Sequence, residues 1–197
     1  MTKINSNLNY LLDSAYKALQ IKKFDDAKDL FIKAITIKND MPEIHNNLGM
    51  VYINLNDYEQ AIKCFNNAIK LKPKFSVAFC NLGIAHNKIG DFKKSEENYK
   101  QSILYDKKNV IAYYNLGNLY QDQNDLLNAE INYKFVLASK PNMLQAYKNL
   151  FFIYHRSNQL KKLAETLEMA KLNLENNPIV NFFQGVYDYE NKAFQAV

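Results

Sequence analysis

Tryptophan is absent from this sequence, and glycine, proline and cysteine are scarce, at five, four and two residues. So few chain breakers argue against long linkers, disordered segments or a turn-rich β fold. Two cysteines are too few to staple a small secreted domain, and no N-x-S/T acceptor site occurs. Cys64 and Cys80 are therefore read as free thiols in a reducing compartment. No apolar run approaches the ~18 residues that span a membrane, and the opening MTKINSN is not a secretory signal. A cytoplasmic protein with no membrane partner is expected. Arginine is nearly missing: of 25 basic residues all but Arg156 are lysine, against 20 acids, for a net charge of +5. Acids alternate with the lysines, as at Asp25-Asp26 and Glu96-Glu97, which describes a solvated outer face. A nucleic-acid partner would call for a clustered basic stripe with arginine and stacking aromatics, and is not expected.

What is abundant is repetition. Leu48, Leu82, Leu116 and Leu150 recur every 34 residues, each preceded by Asn47, Asn81, Asn115 or Asn149, and Gly49, Gly83 and Gly117 follow the first three. A fixed period of this length marks a repeat array. In the unit Val110–Met143, Tyr113, Leu116, Gly117 and Tyr120 fall on one face of a first helix, running to about Gln123. Asn124-Asp125 breaks it. A second helix carries Leu126, Ala129, Tyr133 and Val136 until Pro141 stops it. Small residues at Gly117 and Ala129 allow the two helices close approach. One such hairpin cannot bury its apolar faces alone, so the chain is read as an all-α solenoid, one continuous unit without a single central core.

On these residues the chain resembles the tetratricopeptide repeat (TPR) family. The second unit supplies His45, Leu48, Gly49, Tyr52, Ala61, Phe65, Ala68 and Pro73. The third gives Phe79, Leu82, Gly83, His86, Ser95, Tyr99 and Ser102, with Lys107 where proline is usual. The first is weaker at its start and sound at Ala27, Phe31 and Ala34. The fifth keeps Tyr147, Leu150, Tyr154, Leu167 and Ala170. The resemblance implies a right-handed α-solenoid of antiparallel helix pairs. Five repeats are read at 8–41, 42–75, 76–109, 110–143 and 144–177, after a loose segment 1–7 and before a partial sixth repeat or terminal helix at 178–197. Two places depart from the pattern. In the fifth repeat Phe151 stands for the glycine and Leu163 for the small residue opposite it. Two large residues there should push the helices apart or shift the second one, unless a different loop register presents Ala164 instead. The stretches Leu8–Leu19 and Ile179–Glu190 are unusually apolar for terminal helices, which should be polar on their outer side. At the first end either something packs there or the end self-associates, and at the last the chain is read as a fragment of a longer protein or as docking onto something; charges at Leu12 or Phe183 should return a self-assembly to monomer.

Beside the packing stripe, the first helix of each unit carries a second stripe, which in the TPR family lines the concave groove. It contains Asn47, Asn81, Asn115 and Asn149, with Met50, Ile84, Asn118 and Phe152 three residues further on and Tyr114 next to Asn115. Val77 and Ile111 adjoin them. An asparagine offers two donors and an acceptor, which suits the N–H and C=O groups of an extended peptide. The row is similar to the asparagine ladder in the TPR arm of O-linked N-acetylglucosamine transferases. As surface residues, these asparagines should tolerate alanine within about 0.5 kcal/mol. The paired cations with which chaperone-binding TPR domains hold a terminal carboxylate are missing: Leu12/Tyr16, Asn46/Met50, Cys80/Ile84 and Tyr114/Asn118 stand at those positions.

No catalytic constellation is visible. His45 and His86 occupy aromatic packing positions, and His155 has no Cys, Asp or Glu at ligand spacing, so no metal or cofactor is expected. Phosphate-loop, GxGxxG and GxSxG patterns are absent. The expected function is a non-catalytic scaffold whose groove binds an extended peptide segment of another protein. The alternatives are a substrate-recruiting arm of a larger enzyme such as a glycosyltransferase, and a self-assembling adaptor.

Overall fold

A computed structural model of the chain describes residues 3–195. Among the described residues there are eleven helices and no strand: α1 Lys3–Gln20, α2 Phe24–Ile37, α3 Pro42–Asn54, α4 Tyr58–Leu71, α5 Ser76–Lys88, α6 Phe92–Tyr105, α7 Val110–Asp122, α8 Leu126–Ser139, α9 Leu144–Arg156, α10 Leu160–Asn173 and α11 Pro178–Gln195. The first ten form helix pairs, and the fold is an all-α solenoid of about five repeats. Close contacts divide the chain into two compact units, one ending at Ala112 and one starting at Tyr113.

Every pair is joined by the same turn. Lys22, Asn56, Gly90, Asn124 and Asn158 all adopt positive φ, between 52° and 79°, at one fixed place in the repeat. At four of the five sites the residue is glycine or asparagine, the types that enter this region most readily. The next residue donates its backbone N–H back across the helix end, as Asp57 does to the Tyr52 carbonyl at 2.9 Å. The preceding bond from Asn56 to Ile53 completes the six-residue C-terminal motif that satisfies orphan carbonyls. Asp57, Asp91 and Asp125 then accept from the backbone N–H of Gln60, Lys94 and Asn128, capping the second helix. Lys23 and Gln159 stand at that place in the first and fifth pairs and give no side-chain cap.

Close approach within the middle pairs depends on glycine. A Cβ at Gly49 would lie 2.5 Å from the Phe65 ring, at Gly83 2.6 Å from Tyr99 and at Gly117 2.8 Å from Tyr133. All three rings are buried. The aromatic of the second helix thus sits in a notch that only glycine leaves open. The fifth pair solves the same problem by exchange: Phe151 puts the ring on the first helix, and Leu167 takes the place of the second helix's aromatic. Leu163 fills the small-residue slot, and all three are buried. The loop keeps its register, because α9 and α10 begin at the offsets of the earlier pairs and Ala164 stays half-buried. Instead, α9 and α10 sit less closely together than α3 with α4 or α5 with α6.

The ends differ from expectation in two respects. Helix α1 starts at Lys3, so most of the segment 1–7 read as loose is helical; residues 1, 2, 196 and 197 lie outside the described residues. Leu8, Leu11, Ala15 and Ala18 turn into a core with α2 and α3, and Leu12 packs partly against it. Phe183 also turns inward, with its ring 4.8 Å from that of Phe151. A charge at Phe183 would therefore disturb packing rather than report on association. No helix of the described residues is long and apolar enough to cross a membrane.

Candidate functional site

In the first unit, α1, α3 and α5 each present the stripe singled out in the sequence. Its amides are wired from helix to helix. Asn81 on α5 donates from Nδ2 to Oδ1 of Asn46 on α3 at 2.9 Å. Asn46 donates in turn to Asn47 Oδ1 at 3.4 Å, and Asn47 donates to the hydroxyl of Tyr16 on α1 at 2.9 Å. Asn46 is buried, so the charge-free amide–amide bond to Asn81 satisfies a group that water does not reach. Tyr16 is anchored edge-on against Phe31, with ring centroids 5.7 Å apart.

The second unit repeats the device with different partners. Asn149 on α9 donates to Asn118 Oδ1 on α7 at 3.0 Å, and the Tyr133 hydroxyl lies 2.7 Å from the same oxygen and 2.9 Å from Gln121 Oε1. Asn115 is engaged as well. The asparagines therefore serve first as links between successive first helices of pairs. Asn47, Asn81 and Asn149 each spend a donor there.

Apolar side chains beside these links stay open to solvent. In the first unit Val77 is 49% and Ile111 62% exposed, while Met50 and Ile84 are half-buried, Met50 against the core around Phe65. In the second unit Phe152 is 45% exposed, and Tyr114 is half-buried beside Tyr133. Two features escaped the sequence reading. The first is Asn46 as a buried acceptor, for which the two adjacent amides at Asn46-Asn47 are the sequence signal. The second is a hollow of about 610 Å³ on α11, lined by Asn181, Phe182, Gly185, Val186, Tyr189 and Glu190 with His155 of α9. The signal was Gly185, a glycine at the notch position of its repeat.

Several titratable groups elsewhere are engaged in the packing of the fold. Burial pushes the Cys64 thiol up to about 11, aided by the negative charge of Asp57, which makes it a poor nucleophile. Burial lowers the His86 imidazole, and Asp91, whose carboxylate is 3.7 Å from Nδ1, opposes that shift. Glu130 of α8 is buried between Lys134 and Lys162, at 2.8 and 3.0 Å. Burial pushes its carboxyl up, but hydrogen bonds from Lys134 and Lys162 help to outweigh this and hold it below the usual range. Among the described residues no group of three His, Cys, Asp or Glu is placed to hold a metal ion.

Family models of the tetratricopeptide repeat match residues 42–75, 77–109 and 110–143. The chain belongs to the tetratricopeptide repeat family. No curated protein sequence matches it. Among solved TPR structures, the fold resembles that of MamA, at a TM-score of 0.72 and 20% identity over 82% of this chain and 94% of that one. It also resembles Pseudomonas aeruginosa pilF, at 0.79 and 12% over 98% and 89%. A third similar structure is YrrB, described as a TPR protein with an unusual peptide-binding site, at 0.65 and 16% over 89% and 90%. At these identities the likeness is one of TPR fold.

Proposed function

We propose that this TPR protein is a non-catalytic scaffold that binds an extended peptide segment of another protein on the face formed by the first helices of its pairs. One observation carries the reading: on that face solvent-exposed apolar side chains, Val77 and Ile111 in the first unit and Phe152 in the second, stand beside side-chain amides, a group with both donors and an acceptor. Within the first unit main-chain groups of a ligand pair with Asn47 and Asn81, and its apolar side chains rest on Met50 and Ile84; within the second they pair with Asn115, Asn118 and Asn149, beside Tyr114 and Phe152. The amides already order one another, so little side-chain entropy is lost when a ligand arrives.

Replacing the asparagines would break links within the fold, so the test uses the exposed apolar residues. Val77→Lys and Phe152→Lys should leave the melting temperature unchanged while a partner captured from cell lysate by the parent protein is lost. A partner recovered equally by parent and variants would remove this face from the interaction.

A further inference from the structure

Lys148, Phe152 and Arg156 follow one another at four-residue steps along α9, which sets them on one side of the helix over ~12 Å. All three are exposed, Phe152 at 45%. Arg156 is the single arginine of the chain, and no other first helix of a pair carries cations at both of these repeat positions. The salt bridges of the second unit, made by Lys134, Lys162, Lys171 and His155, use neither Lys148 nor Arg156. Helix α9 itself holds no carboxylate, and neighbouring α7 holds one, Asp122, at its last residue. Beside the stripe, Asn149 is fixed by its 3.0 Å bond to Asn118. The result is a row of cation, ring and cation bordered by an ordered amide.

We propose that this row reads acidic side chains: the peptide segment held on the second unit carries Asp or Glu on either side of an apolar residue. The inference rests on the peptide-binding reading above and names the chemistry of the ligand at that place. The apolar side chain lies on Phe152. One carboxylate meets the Lys148 ammonium, and the other accepts two parallel N–H bonds from the planar Arg156 guanidinium. Charge-assisted bonds of this kind offset the hydration that a carboxylate gives up, whereas a lysine in either place would face a like charge. Both cations are exposed, so salt screens the attraction and weakens binding.

The test is retention of the full chain on an array of short peptides with blocked termini, so that only side chains supply charge, followed by titration of the peptides retained. A variant with both Lys148→Glu and Arg156→Glu is run beside the parent. Both sites are exposed, so its thermal melt should match the parent's and show that it folds. The parent should bind peptides with Glu flanking an apolar residue about tenfold or more tighter than their Gln counterparts, a preference that shrinks as salt is raised. The variant should lose those peptides and prefer Lys in the same places. Peptides retained with no preference for acidic side chains would overturn this proposal and leave the peptide-binding reading standing. So would an acidic preference that the variant keeps, which would put the contact on other lysines. A parent chain that retains no peptide would overturn both.

Discussion

At the scale of single residues, the fold depends on a few atoms that leave space or bridge it. Gly83 leaves space. A methyl group there would stand 2.6 Å from the Tyr99 ring and 3.2 Å from the Ser95 carbonyl oxygen, and neither a buried ring nor a backbone oxygen gives way cheaply. Gly83→Ala should therefore lower stability by about 1–3 kcal/mol in urea unfolding, as overpacking does, despite alanine's better helix propensity. Asn81 bridges space. The sequence placed it on an exposed stripe and implied a nearly silent substitution, but its amide supplies the donor for buried Asn46. Asn81→Ala should cost about 1–3 kcal/mol, the range for a buried acceptor left unmade. In the Asn46→Ala background the same change should cost less, because the orphaned oxygen is gone. Equal costs in both backgrounds would show that the bond contributes nothing.

Among elements, α8 and α10 are tied by a charge. Glu130 reaches Lys162 on α10 and Lys134 on its own helix, and its carboxyl is held below the usual range. A depressed folded-state value stabilises the protein above the unfolded-state pKa of about 4.3, and that stability is lost as pH falls through the folded value. Glu130→Gln should thus cost about 1–3 kcal/mol at pH 7 and progressively less below about pH 4, where the parent carboxyl also becomes neutral. Chemical denaturation of both proteins across that range checks the sign. This tie was not legible in the sequence, since Glu130 and Lys162 looked like surface charges on separate helices. The close approach of the helices was legible, because a small residue recurs at Gly49, Gly83 and Gly117; that the rings of Phe65, Tyr99 and Tyr133 fill those gaps was not. Phe151 and Leu163 were correctly seen as a conflict. Its resolution was not, because moving the ring from one helix to its neighbour while Leu167 fills the vacated place depends on packing depth, which periodicity does not report. The asparagine row shows the same limit: a helical register says which face a residue shares, not whether that face bonds to the next helix.

Across the whole molecule, stability is expected to be regional. A repeat array has no central core, and each helix pair packs against its sequence neighbours, so energy lost in one pair is felt mainly by the adjoining ones. The buried apolar set made by α1–α4, from Leu8 and Phe31 to Val51 and Cys64, shares no residue with the one around Phe151, Leu163 and Leu167. Phe151→Ala removes a fully buried ring that touches Tyr147 and Phe183, and should cost about 3–5 kcal/mol locally. Native-state hydrogen exchange gives the readout that a single melting curve averages away. Amide protection in α9, α10 and α11 should fall by orders of magnitude in this variant, while protection in α1–α4 stays at the parent level. A uniform loss from α1 to α11 would instead mean that the pairs unfold as one cooperative body, with coupling along the chain stronger than the nearest-neighbour packing supplies.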